Sequence, residues 1–474
     1  MSFISLSFIA FLLVMLLLFF VVPKRFQFIV LLLGSFAFYL MFSVKAFFFL
    51  FISSLSVYLA ALFLEHVENR RIGRQLLVLV IGFNLFLLIG LKYFSFWLTR
   101  YGLVVPLGIS FYTLSLIGYL IDIERRKYRA ERNFFYFFLY VSYFPHILQG
   151  PIARYNFLGE QFKEYHPFNY DRVAKGCQRM VWGYMKKMII ADRAAIFVDT
   201  VFGQISTGRG TAFFIASLLY TIQIYADFSG CVDISMGVSE IFGIRLSENF
   251  KQPYLAVSIN DFWKRWHISL SSWFRDYLYI PLGGSRKGIV RRWMNVLIVF
   301  TVSGFWHGVG INYIIWGLLH GIYQVIGYLL MPVRTWIIQK IWPNGETGFA
   351  KAIHILTTFF LVNFAWIFFR IADFKNAIII IREIITDFTP WILTDGTIFS
   401  YGLSEKSLHL LIFMIILMFV VDLLHEKGIS IRTRISRECL PIRWFIYLTA
   451  IYTVMIFGIY GIGYDASSFI YMNF

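Results

Sequence analysis

The sequence predicts an all-α protein that crosses a membrane many times, and composition and long apolar runs are the main observations behind that class. Of its 474 residues, 59% are hydrophobic, 20% are aromatic and only 15% are charged. A soluble fold of this composition would expose apolar surface to water on every side. Runs such as 3–22, 26–42 and 75–91 approach the roughly 20 residues that a spanning helix needs. We count about ten to twelve such runs and expect that number of transmembrane helices, with re-entrant or interfacial helices between them.

Basic loops give the predicted helices an orientation. Lys24 and Arg25 follow the first apolar run, and the loops 65–74 and 124–133 are also basic. If each lies in the cytoplasm, the positive-inside rule places the N-terminus outside. The first run lacks a basic leader and a small-residue cleavage site, so we interpret it as a span and not as a signal peptide. Basic loops facing anionic lipid also account for the net charge of +17, and we expect no nucleic-acid partner.

We expect a single membrane domain, 1–474, because no internal repeat or linker is visible. The composition of its apolar segments changes along the chain. Plain spans fill 1–125 and 331–474, whereas proline, glycine and charged residues interrupt the apolar segments of 126–330. Interrupted backbone at membrane depth must be satisfied by protein or water, so we expect the middle zone to line a cavity.

One interrupted segment, 140–154, contains Pro145, Gly150 and Pro151. Proline in a helix interior removes a hydrogen bond and clashes with the preceding turn, so the segment predicts a broken helix. A full span here would place the basic stretch 151–193 outside the cell. A re-entrant segment resolves that conflict with the positive-inside rule.

The stretch 260–284 (NDFWKRWHISLSSWFRDYLYIPLGG) is the richest in polar and aromatic side chains. At helical spacing one face carries Trp263, Trp266, Leu270, Trp273 and Tyr277, and another carries Lys264, His267, Ser271 and Arg275. An amphipathic helix in the membrane interface is one interpretation. The other is that basic side chains hold a phosphorylated ligand while His267 lies near the reacting group. These basic side chains are Lys264, Arg265 and Arg275, with Arg286 and Lys287 of the following glycine-rich loop.

His307, within SGFWHGVG (303–310), lies between apolar runs. It is either a hydrogen-bonded core residue or a functional group, since ionisable residues inside a membrane tend to mark functional sites. An imidazole desolvated by Phe305 and Trp306 is suited to act as general base for a hydroxyl that attacks a thioester. His320 follows thirteen residues later. On one straight helix the two histidines would point to different faces, so we expect no shared metal site.

Two carboxylates, Asp227 and Asp233, lie inside the apolar stretch 222–237. Buried carboxylates need partners, and the neighbouring zone is rich in basic residues. We therefore favour structural ion pairs over catalysis for both.

Together these motifs identify a resemblance. NDFWKRWHISLSSWFRDYLYIPLGG followed by SGFWHGVGINYIIWGLLHG resembles the membrane-bound O-acyltransferases, in particular their bacterial, alginate O-acetyltransferase-like branch. Supporting stretches are 105–122, 143–154, 185–193, 224–255, 363–374 and the ending 468–474.

The resemblance implies a funnel of helices around a central tunnel, with His307 as the catalytic histidine and His267 as the second polar group of the active site. It implies that His307 accepts the proton of the attacking hydroxyl and that His267 orients or stabilises the developing oxyanion. Substrate- or donor-binding positions implied by the matching stretches are Asn260, Asp261, Trp263, Lys264, Arg265, Trp266, Arg275, Asp276, Trp306, His320, Gln149, Arg154 and Asp227. No metal and no bound cofactor are expected.

The implied function is O-acetylation of a cell-envelope polysaccharide of the alginate, cellulose or peptidoglycan type. Acetyl from cytoplasmic acetyl-CoA would cross the bacterial inner membrane to an extracytoplasmic partner, often an SGNH-type acetyltransferase. One alternative within the enzyme class is D-alanyl transfer to teichoic acid. A transporter or an anchor of a polysaccharide export complex is the non-enzymatic alternative, although the inverted repeats typical of transporters are not visible.

Overall fold

The computed structural model describes residues 2–94, 100, 104–206, 208–341 and 347–460, apart from the side chains of 337 and 338. The chain's ending, 468–474, which contributes to the resemblance, lies outside these residues. Throughout the described ranges the regular elements are helices. The predicted all-α class is therefore confirmed.

Two compact units make up the chain, where the sequence predicts one membrane domain with three zones. The first unit comprises Met1–Tyr184, Cys231–Ser247 and Gly463–Asn473, and the second comprises Met185–Gly230, Glu248–Ile462 and Phe474. Helix Gly210–Phe242 contributes its first part to the second unit and its last part to the first. The prediction of one functional domain stays a prediction.

Within the described ranges, the first unit contains two helices of membrane-spanning length, Val44–His66 and Arg70–Tyr93, among shorter ones. In chain order they are α1 Leu6–Val21, α2 Gln27–Leu40, α3 Val44–His66, α4 Arg70–Tyr93, α5 Ile109–Glu124, α6 Phe134–Ser142, α7 Phe144–Ile147, α8 Tyr155–Leu158 and α9 Tyr170–Tyr184. Side-chain oxygens cap several of their first turns, as short polar residues do before an apolar run. Ser5 Oγ accepts from the Phe8 N–H at 3.2 Å, and Asn133 Oδ1 accepts from the Phe135 N–H at 2.9 Å.

The second unit begins with a π-helical turn, Met185–Ala191. Its helices are α10 Asp192–Gly203, α11 Gly210–Phe242, α12 Ile259–Arg265, α13 Ile268–Phe274, α14 Ile289–His307, α15 Ile311–Leu329, α16 Met331–Ile341, α17 Gly348–Arg370, α18 Phe374–Thr386, α19 Glu405–Glu426, α20 Ile431–Ile435 and α21 Leu440–Phe457. A second π-helical turn, Arg275–Tyr279, follows α13 directly.

Six helices of the described ranges are long and apolar enough to cross a membrane, or seven if the bent pair α15–α16 forms one span. Large apolar side chains cover their outer faces, and the apolar window of α21 has no buried residue. Such faces require lipid, so this is a membrane protein. The larger number of apolar runs in the sequence arises because some form helices of only 16 residues, as α1 and α5 do.

The predicted break in 140–154 is present in the first unit. Helix α6 ends at Ser142, and Tyr143, with φ −49° and ψ 110°, separates it from the short α7. Side chains satisfy the exposed backbone there: the Phe144 N–H donates to Ser35 Oγ at 3.1 Å, and the Tyr140 hydroxyl donates to the Ala153 carbonyl at 2.9 Å. Protein side chains thus supply the hydrogen bonds that these backbone groups would otherwise need from water within the membrane.

Helices α14 and α15 form a tight helical hairpin in the second unit. The chain breaks at 308–310, and α15 runs back along α14. A methyl group on Gly304 would collide with the Tyr313 carbonyl, and one on Gly317 would collide with the Phe300 carbonyl. Small residues let the two backbones meet, as in other membrane helix pairs. This contact sets the distance between His307, at the end of α14, and the side chains of α15.

Candidate active site

His307 is the last residue of α14 and is only 2% exposed. Its Nδ1 lies 2.7 Å from the carbonyl oxygen of Ser303, one turn earlier. A carbonyl oxygen only accepts hydrogen bonds, so Nδ1 carries a proton and donates it. In a neutral imidazole the basic lone pair then lies on Nε2.

Aromatic rings surround His307. Its ring centroid lies 4.8 Å from that of Trp306, 4.8 Å from that of Trp316 and 5.6 Å from that of Phe369. Phe305 is 42% exposed, and its predicted part in desolvating the imidazole stays a prediction. Consecutive residues of a helix point in different directions, and the hairpin partner α15 and helix α17 supply the other rings.

The stretch 260–284 is not one continuous amphipathic helix, which corrects the sequence-based prediction. Helix α12 ends at Arg265, α13 begins at Ile268, and His267 between them has a left-handed backbone with φ 45° and ψ 53°. Backbone hydrogen bonds with the preceding segment, 249–251, replace helical ones at the break: the Lys251 N–H donates to the Arg265 carbonyl at 2.9 Å, and the Ile268 N–H donates to the Asn249 carbonyl at 3.0 Å.

Because of this break, the His267 side chain is buried in the interior of the protein. Its exposure is 0%, whereas the helical pattern placed it on the cationic face. The predicted aromatic face is buried: Trp263, Trp266, Leu270, Trp273 and Tyr277 all lie in the core. A left-handed conformation is unusual for a residue with a Cβ and is found more often at functional sites than elsewhere.

Asn249, which sequence reasoning did not single out, fixes the orientation of His267. Its Oδ1 accepts from the Ser269 N–H at 3.0 Å, from Ser269 Oγ at 2.9 Å and from His267 Nδ1 at 3.4 Å. The His267 ring therefore donates from Nδ1 and accepts at Nε2 when neutral. Burial, and next the nearby His307, hold the pKa of His267 well below its usual value, which favours that neutral form. An asparagine between a helix and a proline resembles an ordinary turn residue, so the sequence carries no signal for this role.

Both histidines contact the same aromatic cluster. The Trp306 ring lies 6.4 Å from the His267 ring and 4.8 Å from the His307 ring, centroid to centroid. On its other side His267 contacts Phe228 of α11, with centroids 4.8 Å apart. The structure thus brings together the two residues that the motifs assign to catalysis.

His320 belongs to the same cluster. The Trp263 indole N–H donates to His320 Nδ1 at 3.2 Å, and the His320 ring lies 5.3 Å from that of Trp316. The argument that His307 and His320 point to different faces assumed one straight helix, and it does not apply because the break at 308–310 folds α15 back onto α14. Within the described ranges, no three His, Cys, Asp or Glu side chains are placed to hold a metal ion.

The basic residues predicted to hold phosphates are either paired with carboxylates or exposed. Arg265 donates to both oxygens of Glu426, at 2.7 and 3.1 Å, and to Asp261 at 3.0 Å. The hydrogen bonding of Arg265 to the Glu426 carboxylate is the main reason that the pKa of Arg265 is raised. Arg275 donates to the adjacent Asp276 at 2.9 Å. Exposed side chains of this region are those of Asn260, Lys264, Arg286 and Lys287. Their binding of a donor stays a prediction.

Asp227 lies in a buried ion cluster. Lys187 of the first π-helical turn lies 2.6 Å from Asp227 and 2.8 Å from Asp192, and the three side chains are at most 8% exposed. In the first unit, Asp233 pairs with Arg179 at 2.8 Å. Both predicted ion pairs are present. Their structural role and the assignment of Asp227 to donor binding stay predictions.

Gln149 and Arg154 belong to the first unit, where Arg154 is half-buried. Gln149 is 1% exposed, and its side-chain amide has no hydrogen-bond partner in the described part of the chain. His146, one turn before it, is buried and lies with Nδ1 2.9 Å from the Tyr143 carbonyl. Sequence reasoning did not select His146, although it lies within the quoted stretch 143–154.

Known proteins are similar to this chain. The model of the MBOAT, membrane-bound O-acyltransferase family, matches residues 125–372, just over half of the chain. The chain is 40% identical over 267 residues to the probable alginate O-acetylase AlgI of Pseudomonas fluorescens, covering 56% of this chain and 51% of that protein. It is 33% identical over 396 residues to the peptidoglycan O-acetyltransferase of Helicobacter pylori, covering 75% of this chain and 73% of that protein.

A teichoic acid D-alanyltransferase of Bacillus subtilis is more distant. It is 29% identical over 231 residues, covering 47% of this chain and 58% of that protein. The chain thus spans about half the length of the alginate acetylase relatives that it matches.

Proposed function

Because the chain belongs to the membrane-bound O-acyltransferase family, as its motifs predict, we propose that it is an acyltransferase that transfers acetyl groups for O-acetylation of a cell-envelope polysaccharide. The donor is a cytoplasmic thioester, acetyl-CoA, and the acetyl group crosses the membrane through the protein. The observation that carries this proposal is the fixed orientation of His307 inside an aromatic cluster, next to a second oriented imidazole.

The chemistry is the attack of a hydroxyl on a thioester. His307 Nε2 accepts the hydroxyl proton while the hydroxyl oxygen forms a bond to the acyl carbon. The carbon–sulfur bond then breaks, and the proton passes from His307 to the leaving sulfur, which departs as a thiol. His267 Nε2 is also an acceptor in the neutral ring. It therefore suits orientation of the acceptor molecule better than donation to an oxyanion, which modifies the role that the resemblance implied.

The walls around His307 favour a small acyl group. Trp316 and Trp366 are fully buried and stack with ring centroids 5.5 Å apart, and Phe369 closes the cluster at 4.9 Å from Trp316. Rings packed this closely leave room for an acetyl group more readily than for a long fatty chain. The two acetylating relatives support the same group.

The cellular setting follows from the same proposal. We place the protein in the bacterial inner membrane, with exposed Lys264, Arg286 and Lys287 facing the phosphates of the donor from the cytoplasm. The acetyl group passes to an extracytoplasmic partner, an SGNH-type acetyltransferase, that forms the final ester on the polysaccharide.

Gene deletion and complementation in the source bacterium test this function. Ester-linked acetate and ester-linked D-alanine of the envelope polymers are measured in the same extracts, with complementation by the unaltered chain and by His307→Ala at equal membrane levels. We expect acetate to fall on deletion and to return only with the unaltered chain. Loss of D-alanine instead would favour teichoic acid modification, and unchanged levels of both would contradict an envelope acyltransferase.

A further inference from the structure

The two oriented histidines leave the proposed reaction without an evident donor for the oxyanion. When the attacking oxygen bonds to the acyl carbon, the carbonyl oxygen gains a negative charge, and enzymes stabilise it with pre-placed N–H groups. His307 uses its Nδ1 proton on Ser303, and His267 uses its Nδ1 proton on Asn249. In their neutral forms both rings offer only an acceptor nitrogen to a substrate.

A first N–H donor is available at Trp316. This residue is 0% exposed, and its indole Nε1 has no hydrogen-bond acceptor among the residues that the structure describes. Its ring centroid lies 4.8 Å from that of His307, at an interplanar angle of 72°. An indole nitrogen only donates, and leaving one buried without an acceptor is costly.

A second N–H donor follows from the tautomer of His320. Because the Trp263 indole can only donate, His320 Nδ1 must accept, at 3.2 Å. That bond excludes the doubly protonated ring and places the single proton on Nε2. His320 is 0% exposed, and its Nε2 also has no partner in the described ranges.

The two donors belong to neighbouring rings. The centroids of Trp316 and His320 lie 5.3 Å apart on successive turns of α15. Two buried N–H groups without acceptors, beside the proton acceptor of the reaction, match what a developing oxyanion requires. We infer that Trp316 Nε1–H and His320 Nε2–H form the oxyanion hole for the thioester carbonyl oxygen, and that Trp263 is the positioning residue that holds His320 in the donating tautomer.

This inference rests on the proposed function. In the reaction that it implies, every proton and bond is accounted for. The hydroxyl proton moves to His307, the new carbon–oxygen bond forms, and the carbonyl oxygen becomes the oxyanion held by the two N–H groups. Collapse of the intermediate breaks the carbon–sulfur bond, restores the carbonyl and returns the proton to the thiolate sulfur. The donors keep their protons throughout, so they contribute electrostatic stabilisation alone.

The test compares two unreactive donor analogues on the full chain in lipid nanodiscs. S-acetonyl-CoA keeps a carbonyl oxygen, whereas S-propyl-CoA has a chain of the same length without one. We expect the unaltered chain to bind the carbonyl analogue about tenfold more tightly, the effect of a modest hydrogen bond. Trp316→Phe and His320→Leu should each reduce this preference, and His320→Gln, which keeps a donor, should restore part of it. Phe300→Leu, which changes the packing against Trp263 and His320 without removing a side-chain N–H, is the packing control and should keep the preference.

Turnover of acetyl-CoA separates this inference from the proposed function. Trp316→Phe should lower kcat by about 100-fold, as removal of an oxyanion donor does elsewhere, with a smaller change in KM. Suppose that Trp316→Phe and His320→Leu both keep the preference for S-acetonyl-CoA and the kcat of the unaltered chain, while His307→Ala is inactive. That result would overturn the oxyanion hole alone. An active His307→Ala, or an unaltered chain that binds neither analogue, would overturn the proposed function and this inference with it. Because the preference is a ratio of two affinities, a partly unfolded variant still gives a valid result.

Discussion

The imidazole of His307 donates a hydrogen bond from Nδ1 to the carbonyl oxygen of Ser303, 2.7 Å away and one turn earlier in α14. Ser303 lies four residues before His307 in the same helix, so the imidazole reaches back along α14 to this carbonyl. The bond fixes both the rotamer and the tautomer of the ring. Basicity at Nε2 is therefore a consequence of this local hydrogen bond.

Asn249→Ala should impair catalysis more than stability. The variant removes the acceptor that orients His267 Nδ1, and misplacement of a catalytic group by about 1 Å can cost on the order of 100-fold in rate. We expect kcat to fall about 10- to 100-fold. Steady-state turnover of acetyl-CoA measures this, and Ser269→Ala, which removes only one of the three hydrogen bonds to Asn249 Oδ1, is the matched control. Equal rates for the two variants would show that Asn249 does not position His267.

The left-handed backbone of His267 predicts an unusual order of stabilities. His267→Ala and His267→Gly both remove the imidazole, but glycine adopts φ 45° without strain whereas alanine does not. We expect the glycine variant to be more stable by about 1–2 kcal/mol, while both lose activity. Chemical denaturation in detergent micelles measures the difference. A more stable alanine variant would mean that the chain relaxes out of this conformation.

Lys187 should be essential for stability because it compensates two buried carboxylates, Asp192 and Asp227. Removing one partner of a buried pair typically costs about 3–5 kcal/mol. We expect that loss for Lys187→Met, measured by unfolding in micelles. Arg370→Met breaks an exposed pair with Asp199 and should cost about 1 kcal/mol or less. If Asp227 instead binds the donor, Asp227→Asn would raise KM without loss of stability.

Glu131, in the loop between α5 and α6, predicts a loss of stability in acid. Burial alone would raise the pKa of its carboxyl, but hydrogen bonds from Lys163, Tyr155 and the Asn133 N–H outweigh burial and lower it. The charged Glu131 carboxylate therefore stabilises the fold fully at pH values above its unfolded pKa of about 4.3. This stabilisation disappears as the pH falls through the lower pKa of the folded state.

Glu131→Gln measures that contribution. We expect the variant to be less stable at neutral pH by about 1–3 kcal/mol, the usual effect of hydrogen bonds to a charged group. The difference between the variant and the unaltered chain should shrink as the pH falls below about 4. Thermal unfolding across this pH range tests it, and a difference that stays constant would show that the charge of Glu131 is not involved.

The motif residues and the break in 140–154 could be predicted from sequence because each has a local cause. Proline in a helix interior removes a hydrogen bond and clashes with the preceding turn, and the SGFWHGVG and FWKRWH motifs are short. The break at His267 has a distant cause, since Asn249 lies 18 residues earlier and acts through hydrogen bonds that helical spacing does not represent.

The proximity of His307 and His320 was also beyond a periodicity argument. Two glycine contacts, at Gly304 and Gly317, decide how closely α15 returns along α14. The acceptors that complete each hydrogen bond are backbone carbonyls or residues of other elements. Their identities depend on tertiary packing, which no single segment specifies.

The most direct test of the central claim is acetyl-CoA turnover by the purified full chain carrying His307→Ala in lipid nanodiscs, with folding confirmed by its melting temperature. Our account assigns the proton transfer to His307 Nε2, and loss of a general base typically costs about 10²- to 10⁴-fold. It predicts a loss of turnover of that size with S-acetonyl-CoA binding retained. A folded His307→Ala chain that turns over acetyl-CoA at close to the unaltered rate would contradict the account.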